Sequence, residues 1–399
     1  MIVRPYYLDI LKTYRDVPLV KILAGIRRCG KSTILDMLKD DLLGSGIVAD
    51  HVIHLRYTSE ELDEGMTAKQ MYQNIKEKMT DSERYYLLLD EVQEVNGWEK
   101  AVNSLLEDAN TDIYVTGSNS KLMSSEISTY LTGRYVSIPV YTLSFKEYLD
   151  FKADSTLSRR ELLEEYIRFG GFPIIALSQY DAQSAYQIVN GIYHTVVSRD
   201  IVKRHRINKQ DLFDRVVKYI IENMGKTFSA NSISTFLKSE HRKVSVESIY
   251  NYLRWLEQAF IIYPCERYDL QGKSILKTQE KYYLADVSLK YALLGYNRKM
   301  LDGAMENIVF LELKRRGYDV YIGKNDTKEI DFVAARRDER IYVQVCVQLP
   351  EGSDREVGNL MEIKDHYPKY VVTLNDMDVG IENGIKIVHL QDFLLADTW

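Results

Sequence analysis

Apolar residues recur along this chain with two alternating periods. Val20 to Ala24 (VKILA) is a short β-forming run between Pro18 and Gly25, the pattern of a buried strand. Leu35, Met37, Leu38, Leu42 and Leu43 then follow at roughly helical spacing, and Leu8, Ile10, Leu11 and Tyr14 predict a leading helix. The alternation continues. His51–Tyr57 reads as strand, Thr67–Met79 as helix, Tyr85–Leu89 as strand and Gly97–Ala109 as helix, with further strands at Asp112–Val115 and Tyr135–Tyr141. Strands alternating with helices predict a parallel α/β sheet. Helical patterns dominate the middle, at 161–169, 182–202, 211–223, 233–237 and 245–259, and two β-like runs follow at 260–263 and 281–284. From about Ala304 a helix (305–316) leads into strands at 318–322, 329–334 and 341–347, a helix at 356–364, and strands at 370–374 and 385–388. These shifts divide the chain into regions 1–155, 156–300 and 301–399.

Two stretches carry chemistry. Gly25-Ile26-Arg27-Arg28-Cys29-Gly30-Lys31-Ser32 fits G-x-x-x-x-G-K-[ST] between the first strand and its helix. In that context Gly25 and Gly30 let the backbone turn its N–H groups onto phosphates, and the helix N-terminus adds positive potential. The residues expected to hold the phosphates are Gly25, Arg28, Cys29, Gly30, Lys31, Ser32 and Thr33. Lys31 reaches the β and γ phosphates, and the Ser32 hydroxyl completes a Mg²⁺ shell. The second stretch is Tyr85–Glu91, five β-compatible residues ending in two acids, as in a Walker B strand. Asp90 is expected to hold Mg²⁺ through its water shell, and Glu91 to act as general base toward water. Ser118 and Asn119, at the tip of the strand expected beside the acidic one, are candidates to sense the γ-phosphate or hold the water. Gly-Ser-Asn is equally good turn chemistry. Arg134 is a candidate for the charge that develops on the phosphoryl group, from its own chain or across a subunit boundary.

The order of helix, P-loop, acidic strand, polar strand tip and arginine resembles AAA-type ATPases. GIRRCGKST, LLLDEVQ, VTGSNS, LTGRY and LSFKEYLDF are similar to one bacterial and archaeal branch of them. The resemblance implies an α/β P-loop NTPase with a parallel sheet, then a helical or winged-helix region, then a small restriction-endonuclease-like α/β domain. It implies ATP hydrolysis with Mg²⁺. Gly170-Gly171-Phe172-Pro173 also resembles the family and reads as a rigid turn.

The nuclease-like order places a helix glutamate and a strand acid before an E-x-K on the next strand. Glu306 and Glu312 lie on the helix, and Glu312 and Asp331 fit the first two positions. Gln344-Val345-Cys346 stands where Glu-x-Lys belongs, so a neutral amide and a soft thiol replace a hard ligand and an ammonium. The expectation is a domain that docks without cutting. In the middle region, Lys238, His241, Arg242, Lys243 and Arg254 form a basic cluster, with Arg199, Lys203, Arg204, His205 and Arg206 upstream. Such a cluster contacts phosphates in a DNA-binding winged helix, although Glu247 on the same face opposes this.

Composition narrows the picture. Lys plus Arg is 52 and Asp plus Glu 58, so the net charge of −6 excludes a globally basic nucleic-acid coat. Three cysteines lie far apart, with no disulfide or metal spacing, as in a reducing cytoplasm. No apolar run has the length of a membrane span, and no secretory signal pattern opens the chain. The expectation is therefore a cytoplasmic ATPase whose nucleotide state acts as a switch toward an unidentified protein partner, with a homo-oligomer left open. A DNA-binding or regulatory protein that holds ATP as a ligand is the alternative. An ATP-gated nuclease is less favoured.

Overall fold

The computed structural model describes residues 2–57, 65–108, 110–123, 130–207, 209–239, 244–272, 274–350 and 355–399. The chain forms two compact units, Met1–Val140 with Gln258–Phe260 and Tyr141–Glu257 with Ile261–Trp399.

The first unit runs α1 (Pro5–Thr13), β1 (Val20–Ala24), α2 (Lys31–Gly44), β2 (Val52–Arg56), α3 (Ala68–Lys78), β3 (Tyr85–Asp90), α4 (Trp98–Asp108), β4 (Thr111–Gly117) and β5 (Tyr135–Pro139). Pro5 opens α1 at the first helical position, where its missing N–H costs nothing. A reciprocal cap between Thr67 and Gln70 starts α3. The five strands are parallel, in the order β2-β3-β4-β1-β5. β1, β3 and β4 are buried along their whole length, as strands with both faces covered must be. The α/β class and the strand positions match the sequence reading. The full strand order is new: it sets β4 beside the acidic strand, as expected, and also beside the P-loop strand. Ala24 pairs with Gly117 and Leu89 with Val115, so the segments leaving these three strands emerge side by side. Within the core, Lys21 on β1 pairs with Asp112 on β4. Asp112 also accepts from the Tyr114 hydroxyl and the Asp16 N–H.

The second unit begins with α5 (Phe145–Phe151), α6 (Arg159–Phe169), α7 (Pro173–Ala176) and α8 (Ala182–Thr195), which continues into a π-helical stretch over Val196–Lys203. Next come α9 (Gln210–Glu222), α10 (Ala230–Ser239) and α11 (Val246–Gln258), the hairpin β6 (Ile262–Asp269) and β7 (Ser274–Leu284), then α12 (Ser288–Leu294) and α13 (Leu301–Arg315). The chain closes with β8 (Asp319–Asn325), β9 (Lys328–Arg336), β10 (Glu339–Val345), α14 (Arg355–Met361), β11 (Lys369–Thr373), β12 (Gly380–Glu382), β13 (Ile385–His389) and α15 (Leu390–Leu395). Eight strands form one sheet, ordered β12-β13-β11-β10-β9-β8-β6-β7. The β6–β7 hairpin therefore joins the C-terminal sheet, with β6 parallel to β8. The Gly170-Gly171 turn has a steric reason. A Cβ on Gly170 would lie 1.7 Å from an Asp286 carboxylate oxygen, and the Gly171 N–H donates to that carboxylate at 2.8 Å.

Candidate active site

The P-loop leaves β1 at Ala24. A Cβ on Gly25 would meet the Val140 carbonyl oxygen at 2.0 Å, so this glycine is required by close packing beside the loop. Gly30 has φ 104°, a left-handed conformation that favours glycine, and it caps the start of α2. No side chain caps that helix, which leaves its first-turn N–H groups for an anion. Lys31 is buried. Its ammonium donates to the Gly25 carbonyl at 2.9 Å and the Ile26 carbonyl at 3.1 Å, and lies 3.8 Å from a Glu91 oxygen. Ser32 is half-buried one residue on, while Arg28 and Thr33 are exposed. The Cys29 thiol is buried, which pushes it above its ordinary pKa and leaves it inert.

Asp90 ends β3 and is buried, with one oxygen accepting from the Thr116 hydroxyl. Glu91 follows at φ 54°, and its N–H donates to the same Thr116 oxygen at 2.9 Å. This strained turn points the two acids differently. The Glu91 carboxylate accepts from Ser118 at 3.1 Å and from Gln93, and lies 3.9 Å from Arg27. Burial works to raise its pKa. Lys31, Arg27, Gln93 and Ser118 outweigh burial and hold it below the usual glutamate range, so the group is ionised at neutral pH.

The structure thus gathers Lys31, Asp90, Glu91 and Ser118 at one edge of the sheet. Asn119 follows Ser118 and is buried, with its carbonyl accepting from the Leu122 N–H. Arg134 is not brought there. Its carbonyl accepts from the Val20 N–H at the start of β1, and its guanidinium is taken by Glu107 and Asn103 of α4. Five strand residues separate that end from the P-loop, roughly 16 Å. Of the two roles left open for Arg134, the in-chain one does not fit this placement, because parallel strands put the residue before β5 at the opposite edge from the loop after β1. Sequence reasoning missed Thr116, Gln93 and Arg27. Arg27 lies inside the P-loop and pairs with Glu94 at 3.5 Å as well as with Glu91. All three stand within the motif stretches GIRRCGKST, LLLDEVQ and VTGSNS, but nothing in those stretches marks their side chains as neighbours of the acids.

Among the described residues, no group of three or more His, Cys, Asp or Glu is arranged to hold a metal. Mg²⁺ with a nucleotide needs less, one carboxylate and one hydroxyl beside phosphate oxygens and water, and Asp90 with Ser32 fits that set.

The nuclease-like positions look different. Asp331 on β9 accepts from the Val345 N–H at 2.8 Å, and its own N–H donates to the Gln344 side chain at 2.8 Å. The helix acid facing it is Glu306, whereas Glu312 is bound by Arg316 at 2.9 Å and by Arg315 at 3.5 Å. Six helical residues turn the chain by about 240°, so only one of the two glutamates can face Asp331. Lys281 of β7 enters from the hairpin and lies 2.8 Å from Glu329, 3.6 Å from Glu306 and 3.9 Å from Asp331. Burial alone would lower Lys281, but the three carboxylates raise it. Burial, with Glu306 beside it, raises Asp331.

In the middle region Arg199, Lys203, Arg204, Arg206, Lys238 and Arg254 are exposed, while His205 stacks on Trp255 at 4.3 Å. His241, Arg242 and Lys243 lie outside the described residues. Among the described residues, no helix is long and apolar enough to cross a membrane.

Residues 18–149 match the model of an AAA domain, and residues 160–299 match a domain of unknown function, DUF8612. An uncharacterized protein of Haemophilus influenzae is 39% identical over 398 residues, 99% of each chain. The uncharacterized protein MJ1544 of Methanocaldococcus jannaschii is 31% identical over 383 residues, 90% of this chain and 82% of its own. A solved Walker-type ATPase of Pyrococcus abyssi shares the fold, with TM-score 0.52 and 14% identity over 73% of this chain and 96% of that one. The chain belongs to the family of the Haemophilus and Methanocaldococcus proteins, with an AAA domain over residues 18–149.

Proposed function

We propose that this protein is a Mg²⁺-dependent ATP phosphohydrolase that passes its nucleotide state to a protein partner as a conformational change. The observation that carries this reading is Glu91, an ionised carboxylate held between Lys31 and Arg27 beside an uncapped helix N-terminus. The N–H groups at the start of α2 receive phosphate oxygens. Lys31 exchanges the neutral Gly25 and Ile26 carbonyls for charged phosphate oxygens, which are the stronger acceptors. Asp90 and Ser32 hold the cation. When bound, Mg²⁺ neutralises charge on the phosphates and orients them. Glu91 takes a proton from the attacking water, and Ser118 and Gln93 fix its carboxylate for that transfer. Arg27, not Arg134, is the arginine that this chain itself sets beside Glu91.

Arg27 also gives a route for the signal. It bridges Glu91 and Glu94, at the two ends of the short turn over Val92–Glu94. A γ-phosphate that competes for Arg27 loosens this turn, and its loss restores the bridge.

The test is calorimetric titration with Mg-ATP, competition by ADP, and phosphate release by the purified protein. Binding that vanishes in Lys31→Ala supports the reading. Absence of both heat and ADP competition in the wild type removes it.

A further inference from the structure

Arg4 lies far upstream of every motif in the chain, yet it is only 2% exposed. It precedes α1, and Pro5 starts that helix directly after it. The Arg4 guanidinium stacks 4.5 Å from the centre of the Tyr7 ring and donates to the Cys29 carbonyl at 2.9 Å. Cys29 is the residue just before Gly30-Lys31 in the P-loop. Burying a guanidinium is costly unless its donors are used, so this bond is a built contact. The peptide unit joining Cys29 to Gly30 is planar and trans, so its C=O and N–H point in opposite directions. A Cys29 carbonyl held by Arg4 therefore turns the Gly30 N–H away from Arg4. That N–H sits where the uncapped helix start gathers its donors.

We propose that Arg4 is a positioning residue for nucleotide binding: it fixes the Cys29–Gly30 peptide so that the Gly30 N–H faces the phosphates. The inference rests on the nucleotide reading above. Arg4 touches no phosphate itself and acts through one backbone plane. A loop free to flip that plane would present a carbonyl to an anion and repel it. Arg4 thus serves the phosphate site, although it lies outside the P-loop motif.

The experiment measures ADP and ATP dissociation constants, with thermal melts, for the full chain and for Arg4→Met, Arg4→Lys and Leu11→Ala. Leu11 is a fully buried α1 residue seven positions past Arg4, so Leu11→Ala controls for lost stability. Losing one well-aligned phosphate donor is worth about tenfold in affinity. The expected result is about tenfold weaker ADP and ATP binding in Arg4→Met, partial recovery in Arg4→Lys, and near wild-type binding by Leu11→Ala measured below its melting range. Wild-type affinity in folded Arg4→Met overturns the proposal and leaves the nucleotide reading standing. An equal loss in Leu11→Ala also overturns it, because the effect is then one of stability. A wild type that binds neither nucleotide overturns both.

Discussion

Lys31 in the first unit and Lys281 in the second both face carboxylates, at different spacing and with different consequences. Lys31 bonds to two neutral main-chain carbonyls and stands 3.8 Å from one acid. Its charge is only partly answered, so a polyphosphate can outbid those carbonyls. Lys281 lies within 3.9 Å of three acids, with the nearest at 2.8 Å. Its charge is already matched. Both neighbourhoods look like active sites on a residue list, and only one is arranged to change partners. The difference is also visible in the acids. Glu91 is held below the ordinary glutamate range by its cations, whereas burial outweighs Lys281 and raises Asp331 and Glu306.

The sharpest way to break this contrast is Glu91→Gln. Loss of a general base costs about a hundredfold or more in turnover. The expected outcome is phosphate release near background with Mg-ATP binding intact, read by parallel turnover and calorimetry. Turnover at the wild-type rate would move the chemistry away from this acid. Next comes Lys281→Met. Removing one partner of a buried ion cluster costs about 3–5 kcal/mol, because the remaining charges stay buried. Denaturant unfolding should show that loss with ADP affinity unchanged, and an unaltered midpoint would mean that Lys281 is not the cluster's counter-charge.

Ser118→Ala should be milder. It removes one donor to Glu91 but leaves Gln93 and the two cations, so turnover falls by about tenfold at most. A collapse as deep as that of Glu91→Gln would instead give the hydroxyl its own chemical role. The smallest effect is in pH dependence. Asp331 has a raised pKa when folded, so above the ordinary aspartate value, about 4, the native state binds more protons than the unfolded one. Its contribution to stability therefore falls as pH rises through that window. Asp331→Asn has no such proton, and its stability relative to wild type should improve steadily from pH 4 toward neutrality. A flat difference between the two unfolding curves would show that Asp331 ionises normally.

Much of the first unit was legible because its signals are local. Eight consecutive residues define the P-loop, and apolar runs of five or six place β1 and β3. Among the contacts that tune Glu91, Ser118 was legible as a polar residue at the tip of the strand expected beside the acidic one, whereas those of Arg27, Gln93 and Thr116 were not, because no local pattern encodes which side chains converge on the acids. Sequence order also left open whether Arg134 serves its own chain, since it does not say at which edge of a sheet a residue stands. The second unit shows the limit in a helix. α13 is buried almost all round, so it has no polar face to report its rotation. The sequence reading put Glu312 beside Asp331, and packing against β9 and Lys281 of β7 put Glu306 there instead.

The sequence by itself determined the element types, the phosphate loop and the paired acids, because periodicity and short-range backbone chemistry are written residue by residue. Tertiary structure alone decided which cations face Glu91, that Arg4 reaches Cys29, and that Lys281 closes the C-terminal acids. Those are contacts between distant segments, and their energy depends on burial and distance, which exist only once the chain has folded.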